Sequence, residues 1–163
     1  MRKAVALAAG LLILLFVNYG IYGRERLLTE GQVVLLELSP VDPRSIMQGD
    51  YMRLNFEVAD EAFPVGSKQR SDGHIVVALD ARGVGRFRRF ANSRPLAPNE
   101  VSLRYRVRGG QPNFATNAFF FEEGQAKAFE EARFGEFRVG ADGEMILTGL
   151  RGPRLERLEA RAE

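Results

Sequence analysis

Residues 40–58, Pro40-Val41-Asp42-Pro43-Arg44-Ser45-Ile46-Met47-Gln48-Gly49-Asp50-Tyr51-Met52-Arg53-Leu54-Asn55-Phe56-Glu57-Val58, run from a proline turn through a Gly-Asp corner into an alternating segment. Pro43 drives Asp42 into an extended conformation and suits the first position of a helical turn, so Asp42 can cap the amides around Arg44 and Ser45. Gly49 permits a backbone region closed to other residues, and Asp50 can accept local N–H groups before the chain straightens. From there Met52, Leu54, Phe56 and Val58 share one face while Arg53, Asn55 and Glu57 share the other, which predicts a half-buried strand over 51–58. Tyr51 falls on the face opposite Met52 and is expected to cover the proline corner. A stiff entry into an alternating strand makes the chain β-rich.

The same period continues downstream. Upstream, Val33 to Leu38 is the predicted first strand. His74 to Leu79 and Arg86 to Ala91, joined through Ala81-Arg82-Gly83-Val84, predict a hairpin with a glycine turn. Val101 to Arg108 alternates most clearly, with Leu103, Tyr105 and Val107 inward and Arg104, Arg106 and Arg108 outward. Thr116 to Phe121 predicts a buried strand. In Gln125 to Phe134, Ala126, Phe129 and Ala132 recur at helical spacing and predict one short helix packed on the sheet. Phe137 to Val139 and Met145 to Thr148 flank Gly140-Ala141-Asp142-Gly143, whose Asp-Gly pair suits a turn with positive φ. The tail after Pro153 has helical propensity but little to bury, so a frayed helix or disorder is expected there.

Upstream, Ala4 to Tyr22 is a run of 19 residues without a charge. As a helix it would extend about 28 Å, near the hydrocarbon thickness of a bilayer. Arg2 and Lys3 precede it, as they would a signal peptide, yet Asn18-Tyr19-Gly20-Ile21-Tyr22 offers no small-residue cleavage site, and Tyr19 and Tyr22 suit interfacial anchors. The expectation is an uncleaved single-pass anchor, N-terminus inside and the remaining domain outside. The expected organisation is a cytoplasmic stub and anchor over 1–23, one extracytoplasmic β-rich domain over 24–153 and a polar tail over 154–163. The expected fold class is therefore α+β: a mostly antiparallel β domain with one short packed helix, preceded by a single N-terminal transmembrane helix.

Composition narrows the chemistry. The chain has no Cys and a single His, His74, so disulfides, thiolate metal sites and a Ser-His-Asp triad lack their usual members. Gly83-Val84-Gly85 has neither a third glycine nor a following Lys-Ser/Thr and reads as a turn. The net charge of +2 decides little, but residues 82–108 hold eight arginines against one acid, Glu100. Such a face suits acidic partner loops or anionic headgroups, and nucleic acid is not expected outside a membrane.

Gly49-Asp50-Tyr51-Met52-Arg53-Leu54-Asn55-Phe56 resembles the signature of the bacterial GDYXXLXY family, departing only at Phe56, where the pattern ends in Tyr. Pro40-Val41-Asp42-Pro43-Arg44 is similar to the family's lead-in, and Ala118 to Gly124 followed by a helix is similar to its second recurring block. The resemblance covers most of residues 33–150. It implies small single-pass or exported proteins, often encoded with multi-pass membrane proteins, whose biochemical activity is uncharacterised. It carries over no catalytic residue.

The resulting expectation is a non-enzymatic accessory or interaction module of a bacterial membrane complex, in the inner membrane with its C-terminal domain on the periplasmic side. Its expected partners are the membrane, a multi-pass membrane protein and anionic lipid. Candidate binding residues are Asp50, Tyr51, Arg86, Arg88, Arg104, Arg106 and Arg108; no catalytic residue, metal or cofactor is expected. One alternative is a membrane-anchored serine hydrolase using Ser39 or Ser45 with Lys68. The other is a periplasmic ligand-binding module with a pocket lined by Phe119, Phe120 or Phe121.

Overall fold

A computed structural model of the chain describes residues 2–39, 47–48, 51–64, 71–109 and 111–159. Helix α1 (Arg2–Glu30) leads directly into β1 (Gln32–Glu37). There follow β2 (Met47–Gln48), β3 (Tyr51–Arg53), a short helix α2 (Glu57–Ala62), β4 (Gly73–Leu79), β5 (Val84–Phe90), β6 (Glu100–Arg108), β7 (Gln111–Phe114) and β8 (Ala118–Phe120). One helical turn, α3 (Ala126–Phe129), precedes β9 (Phe134–Val139), β10 (Met145–Arg151) and β11 (Arg157–Leu158).

Eight strands form one sheet in the order β11-β10-β9-β1-β5-β4-β6-β7, and β2, β3 and β8 form a second, three-stranded sheet. Every pairing in the large sheet is antiparallel except β1 with β5. β1 lies between β5 and β9, pairing from Gln32↔Val139 to Glu37↔Phe134.

Val34 and Leu36 of β1, Ile75 and Val77 of β4, Leu103 and Tyr105 of β6, and Phe137 and Val139 of β9 all bury on one face of the large sheet. Met52, Leu54, Phe56, Val58 and Ala62 from β3, the segment after it and α2 are buried in the same cluster, so the small sheet and α2 belong to the layer that closes the core. A smaller cluster of Leu35, Val84 and Phe134, with Leu155 against it, covers part of the opposite face.

Residues 51–58 bury the four side chains that alternation assigns inward, but not as one strand. β3 ends at Arg53, Phe56 makes a single antiparallel bridge to Leu38, and α2 begins at Glu57. Glu57-Val-Ala-Asp-Glu-Ala is rich in helix formers, with Glu57 and Asp60 in the first turn where the helix dipole favours acids. The helix expected over 125–134 is one turn, because Phe134 is already committed to β9. The tail is neither helix nor frayed through residue 158: β11 pairs Leu158 with Leu150 and Arg157 with Arg151. The proline corner and the Gly-Asp pair lie outside the described residues.

The expected transmembrane anchor is corrected. α1 carries Asn18 within the apolar stretch and runs on unbroken through Arg24, Glu25, Arg26 and Glu30, and among the described residues no helix is long and apolar enough to cross a membrane. The single-pass inner-membrane placement, with a periplasmic C-terminal domain, rested on that anchor and is withdrawn with it. The fold is a large, mostly antiparallel sheet with a few helices. Gly31 N–H closes the last turn of α1 on Leu27 O at 3.0 Å, and Arg138 of β9 ties that end to the sheet, its Nη1 donating to Gly31 O at 3.0 Å.

Candidate functional site

β6 sets out the central arginines. Its even-numbered residues Ser102, Arg104, Arg106 and Arg108 face away from the buried Val101, Leu103 and Tyr105, as the alternation predicts. Glu144, from the β9–β10 turn, reaches this face and accepts from both Arg104 Nη1, at 2.5 Å, and Arg106 Nη2, at 2.6 Å, through the same Oε1. Arg108 donates to the Val107 carbonyl at 3.2 Å and makes no ion pair among the described residues.

The turn that delivers Glu144 is pinned at several points. Asp142 Oδ1 accepts from Glu144 N–H at 3.1 Å, and Gly143 N–H donates to Gly140 O at 3.0 Å. Arg104 N–H donates to Gly143 O at 2.9 Å, so the turn satisfies a backbone donor of β6. His74 Nε2 lies 3.1 Å from Asp142 O; a carbonyl only accepts, so Nε2 carries the proton. Gly143 has φ +79°, and a Cβ there would come within 3.1 Å of Ser102 O and 3.2 Å of Arg104 N. Gly143→Ala is expected to cost about 1–3 kcal/mol, since a strained dihedral and a backbone clash act together. Denaturant midpoints check this, and an unchanged midpoint would mean that the turn is not held against β6.

α1 forms a second wall. Arg24 and Arg26 from α1 join Arg104, Arg106 and Arg108 around a cleft of about 900 Å³. The acids lining it are Glu30, Asp142 and Glu144. Arg26 Nε is paired with Glu30 at 2.7 Å within the helix, and that carboxylate raises the guanidinium pKa further. Arg24 makes no ion pair among the described residues. Five cations against three anions leave the cleft positive, with Arg24 and Arg108 its unneutralised charges.

Arg86 and Arg88 are not part of this cleft. The register between β4 and β5 shifts after Val76, so that Val76 faces Arg89 while Val77 faces Phe87. A regular strand would put Arg86, Arg88 and Phe90 on one face, and this bulge breaks that alternation. Phe87 and Phe90 contact each other on the core side at 5.6 Å, and the Phe87 N–H donates to Glu61 Oε2 at 3.1 Å. Arg86 lies opposite Ala78, at the far end of the sheet face, and pairs with Glu37 at 3.3 Å and Glu57 at 3.5 Å. Burial and the Glu37 charge raise the Glu57 pKa. Arg88 is exposed at the bulge. The shift turns Phe90 to the core face opposite Ile75 and leaves Arg89 on the other face beside Val76, where its Nη2 meets Glu100 Oε2 at 2.8 Å, with side chains only 18% and 13% exposed. The Ala97 N–H and then Arg89 outweigh desolvation and lower the Glu100 pKa.

Of the corner residues, Asp50 lies outside the described residues. Tyr51 is half-buried and faces Phe120 across the β3–β8 pair, ring centroids 5.8 Å apart. Phe120 is 74% exposed, whereas Phe119 and Phe121 pack on Phe129 at 5.0 and 5.6 Å. The three phenylalanines thus divide between core edge and solvent. Ser39 Oγ donates to Asp60 Oδ2 at 2.5 Å, while Ser45 and Lys68 lie outside the described residues. Among the described residues no group of three or more acids or histidines is placed to hold a metal ion.

Sequence patterning missed a second polar cluster. Glu136 is a buried charged residue of the sheet, 7% exposed, and its Oε2 accepts from Arg151 Nε at 2.5 Å while Oε1 accepts from Thr148 Oγ1 at 3.1 Å. Burial opposes ionisation of Glu136, but Arg151, Thr148 and Arg157 together lower its pKa.

A family model described as GDYXXLXY protein matches residues 13–150. No curated protein and no solved structure matches the chain.

Proposed function

The chain belongs to the GDYXXLXY family, whose match runs from within α1 to the end of β10, and from this we propose that it is a non-enzymatic interaction module that docks an acidic surface of a partner protein on its arginine face. The observation that carries the reading is the arrangement on β6: three arginines stand on one side of a rigid strand, with their charges adding at one surface. The core behind them, Leu103 and Tyr105, fixes their spacing. A partner that presents carboxylates at matching intervals gains charge-assisted hydrogen bonds and is steered to the face over a distance set by salt.

Substituting Arg104, Arg106 and Arg108 together by Gln is expected to leave the melting temperature within a few degrees of the wild type, because exposed ion pairs contribute about 1 kcal/mol or less each. Co-purification of the partner from native extracts should fall sharply, and wild-type capture should weaken as salt rises. A triple variant that captures the same partner as well as the wild type at low salt would overturn the proposal.

A further inference from the structure

We infer that the cleft between α1 and β6 seats a carboxylate-rich peptide segment, and that Glu144 is the chain's own carboxylate holding the seat until such a segment displaces it. This rests on the reading of the arginine face as a docking surface and names where on it the ligand goes and what controls entry.

The occupied half of the cleft displays the mode of recognition. One carboxylate oxygen is clasped by two guanidinium groups from alternate positions of one strand, at 2.5 and 2.6 Å. Both arginines and Glu144 remain accessible, their side chains 40%, 48% and 35% exposed, so water and a competing anion reach the contact. Exposed pairs of this kind are held weakly and exchange readily. The other half is charged, and among the described residues Arg24 on α1 and Arg108 at the end of β6 make no ion pair. Arg26, on α1 with Arg24, is satisfied by Glu30 and is not needed.

Size and charge distribution select the ligand. A volume of about 900 Å³ is large for a single small anion, and its cations are spread over two walls instead of converging on one point. Several carboxylates on one extended segment match this spread: one replaces Glu144 between Arg104 and Arg106, and neighbours reach Arg24 and Arg108. Glu144 then acts as an intramolecular competitor that lowers apparent affinity and rejects weakly charged segments. Because Glu144 sits on a turn pinned by Gly143 and Asp142, its side chain can leave while the backbone stays.

The test uses the full chain and a fluorescein-labelled hexaglutamate peptide, followed by anisotropy at low salt. Glu144→Gln should bind about tenfold more tightly than the wild type, and Arg24→Gln and Arg108→Gln should each bind several-fold more weakly, with melting temperatures recorded for every variant. Arg24 is exposed on a helix, so its variant keeps the test decisive if Glu144→Gln fails to fold. Absence of hexaglutamate binding, equal binding by wild type and Glu144→Gln, or an unaffected Arg24→Gln would each overturn the inference. Displacement of the peptide by inorganic phosphate at equal anionic charge would identify a single-anion site instead and overturn it too. If the triple arginine variant loses its partner while Glu144→Gln and Arg24→Gln behave as wild type, the cleft is wrong and the docking face stands.

Discussion

Phe137→Ala is expected to lower the unfolding free energy by about 3–5 kcal/mol, the largest effect of any single substitution considered for this fold. Phe137 is fully buried on the inner face of β9, where its ring meets Phe56 edge-on at 5.3 Å. β9 is held on both sides, by β1 and by β10, so the backbone cannot move in to fill the space. The neighbouring position already makes room for the ring: a Cβ at Gly135 would stand 3.0 Å from both Phe137 and Phe56. Truncation therefore leaves a cavity lined by rigid strands, and its cost adds to the lost transfer energy. Denaturant midpoints at constant slope measure it, with Phe120→Ala as the contrast. Phe120 is 74% exposed, and its loss should cost less than about 0.5 kcal/mol. Similar losses for the two variants would place the core on the wrong face of the sheet.

Glu136→Ala is expected to cost about 2–3 kcal/mol, because it strips the Arg151 guanidinium of its charged partner in a mostly buried setting and leaves Thr148 Oγ1 only the backbone carbonyl of residue 136, at 3.2 Å, as acceptor. Arg151 retains one contact, from Nη1 to Leu155 O at 2.6 Å, and is partly exposed, which keeps the loss below that of a fully buried pair. The pH dependence has a definite sign. The folded pKa of Glu136 lies below its ordinary value of 4.5, so the ionised form is favoured by folding. Its contribution is fully present above pH 4.5 and is lost as pH falls through the depressed folded value. Urea denaturation of wild type and Glu136→Gln between neutral and acid pH should show the two curves converging below that point. Curves that stay parallel would mean that the carboxylate is not coupled to folding.

The strands whose one face meets the core were legible because burial imposes a two-residue period, and β6 shows this at every position from Val101 to Tyr105. The same period misled at residues 54–58. Leu54, Phe56 and Val58 are all buried, so they alternate as a strand would, yet Val58 and Ala62 also satisfy the four-residue spacing of a helix face. Propensity settled the matter for Glu57–Ala62, and the sequence pattern did not weigh it. The bulge opposite Val76 left a trace in the three-residue spacing of Phe87 and Phe90, which no regular strand can turn to one face. β11 is two residues long and left none. Glu144 was hidden for another reason: its partners lie 38 and 40 positions away, joined to it only by the approach of the β9–β10 turn to β6. The half of the site contributed by β6 could be read from alternation. The wall contributed by α1 could not, since nothing in the spacing of Arg24 and Arg26 relates them to β6, about eighty positions later.

The position of β1 between β5 and β9 governs the order in which the chain can be completed during synthesis. β1 is made early, but its whole length pairs with residues 134–139, about a hundred positions later, while its contact with β5 covers only Leu35 and Leu36. At ribosomal rates of about 5–20 residues per second, a nascent chain carries an unpaired Val-Val-Leu-Leu strand for about 5–20 s. Closure over that separation is entropically slow, and an apolar strand with free edges is what holdase chaperones recognise and what aggregates when they are absent. A chain stopped anywhere before Phe134 lacks the full-length partner of its own first strand and has only the short contact with β5, so C-terminal truncations that reach β9 should yield protein that must be shielded, whichever strands have already formed in the middle.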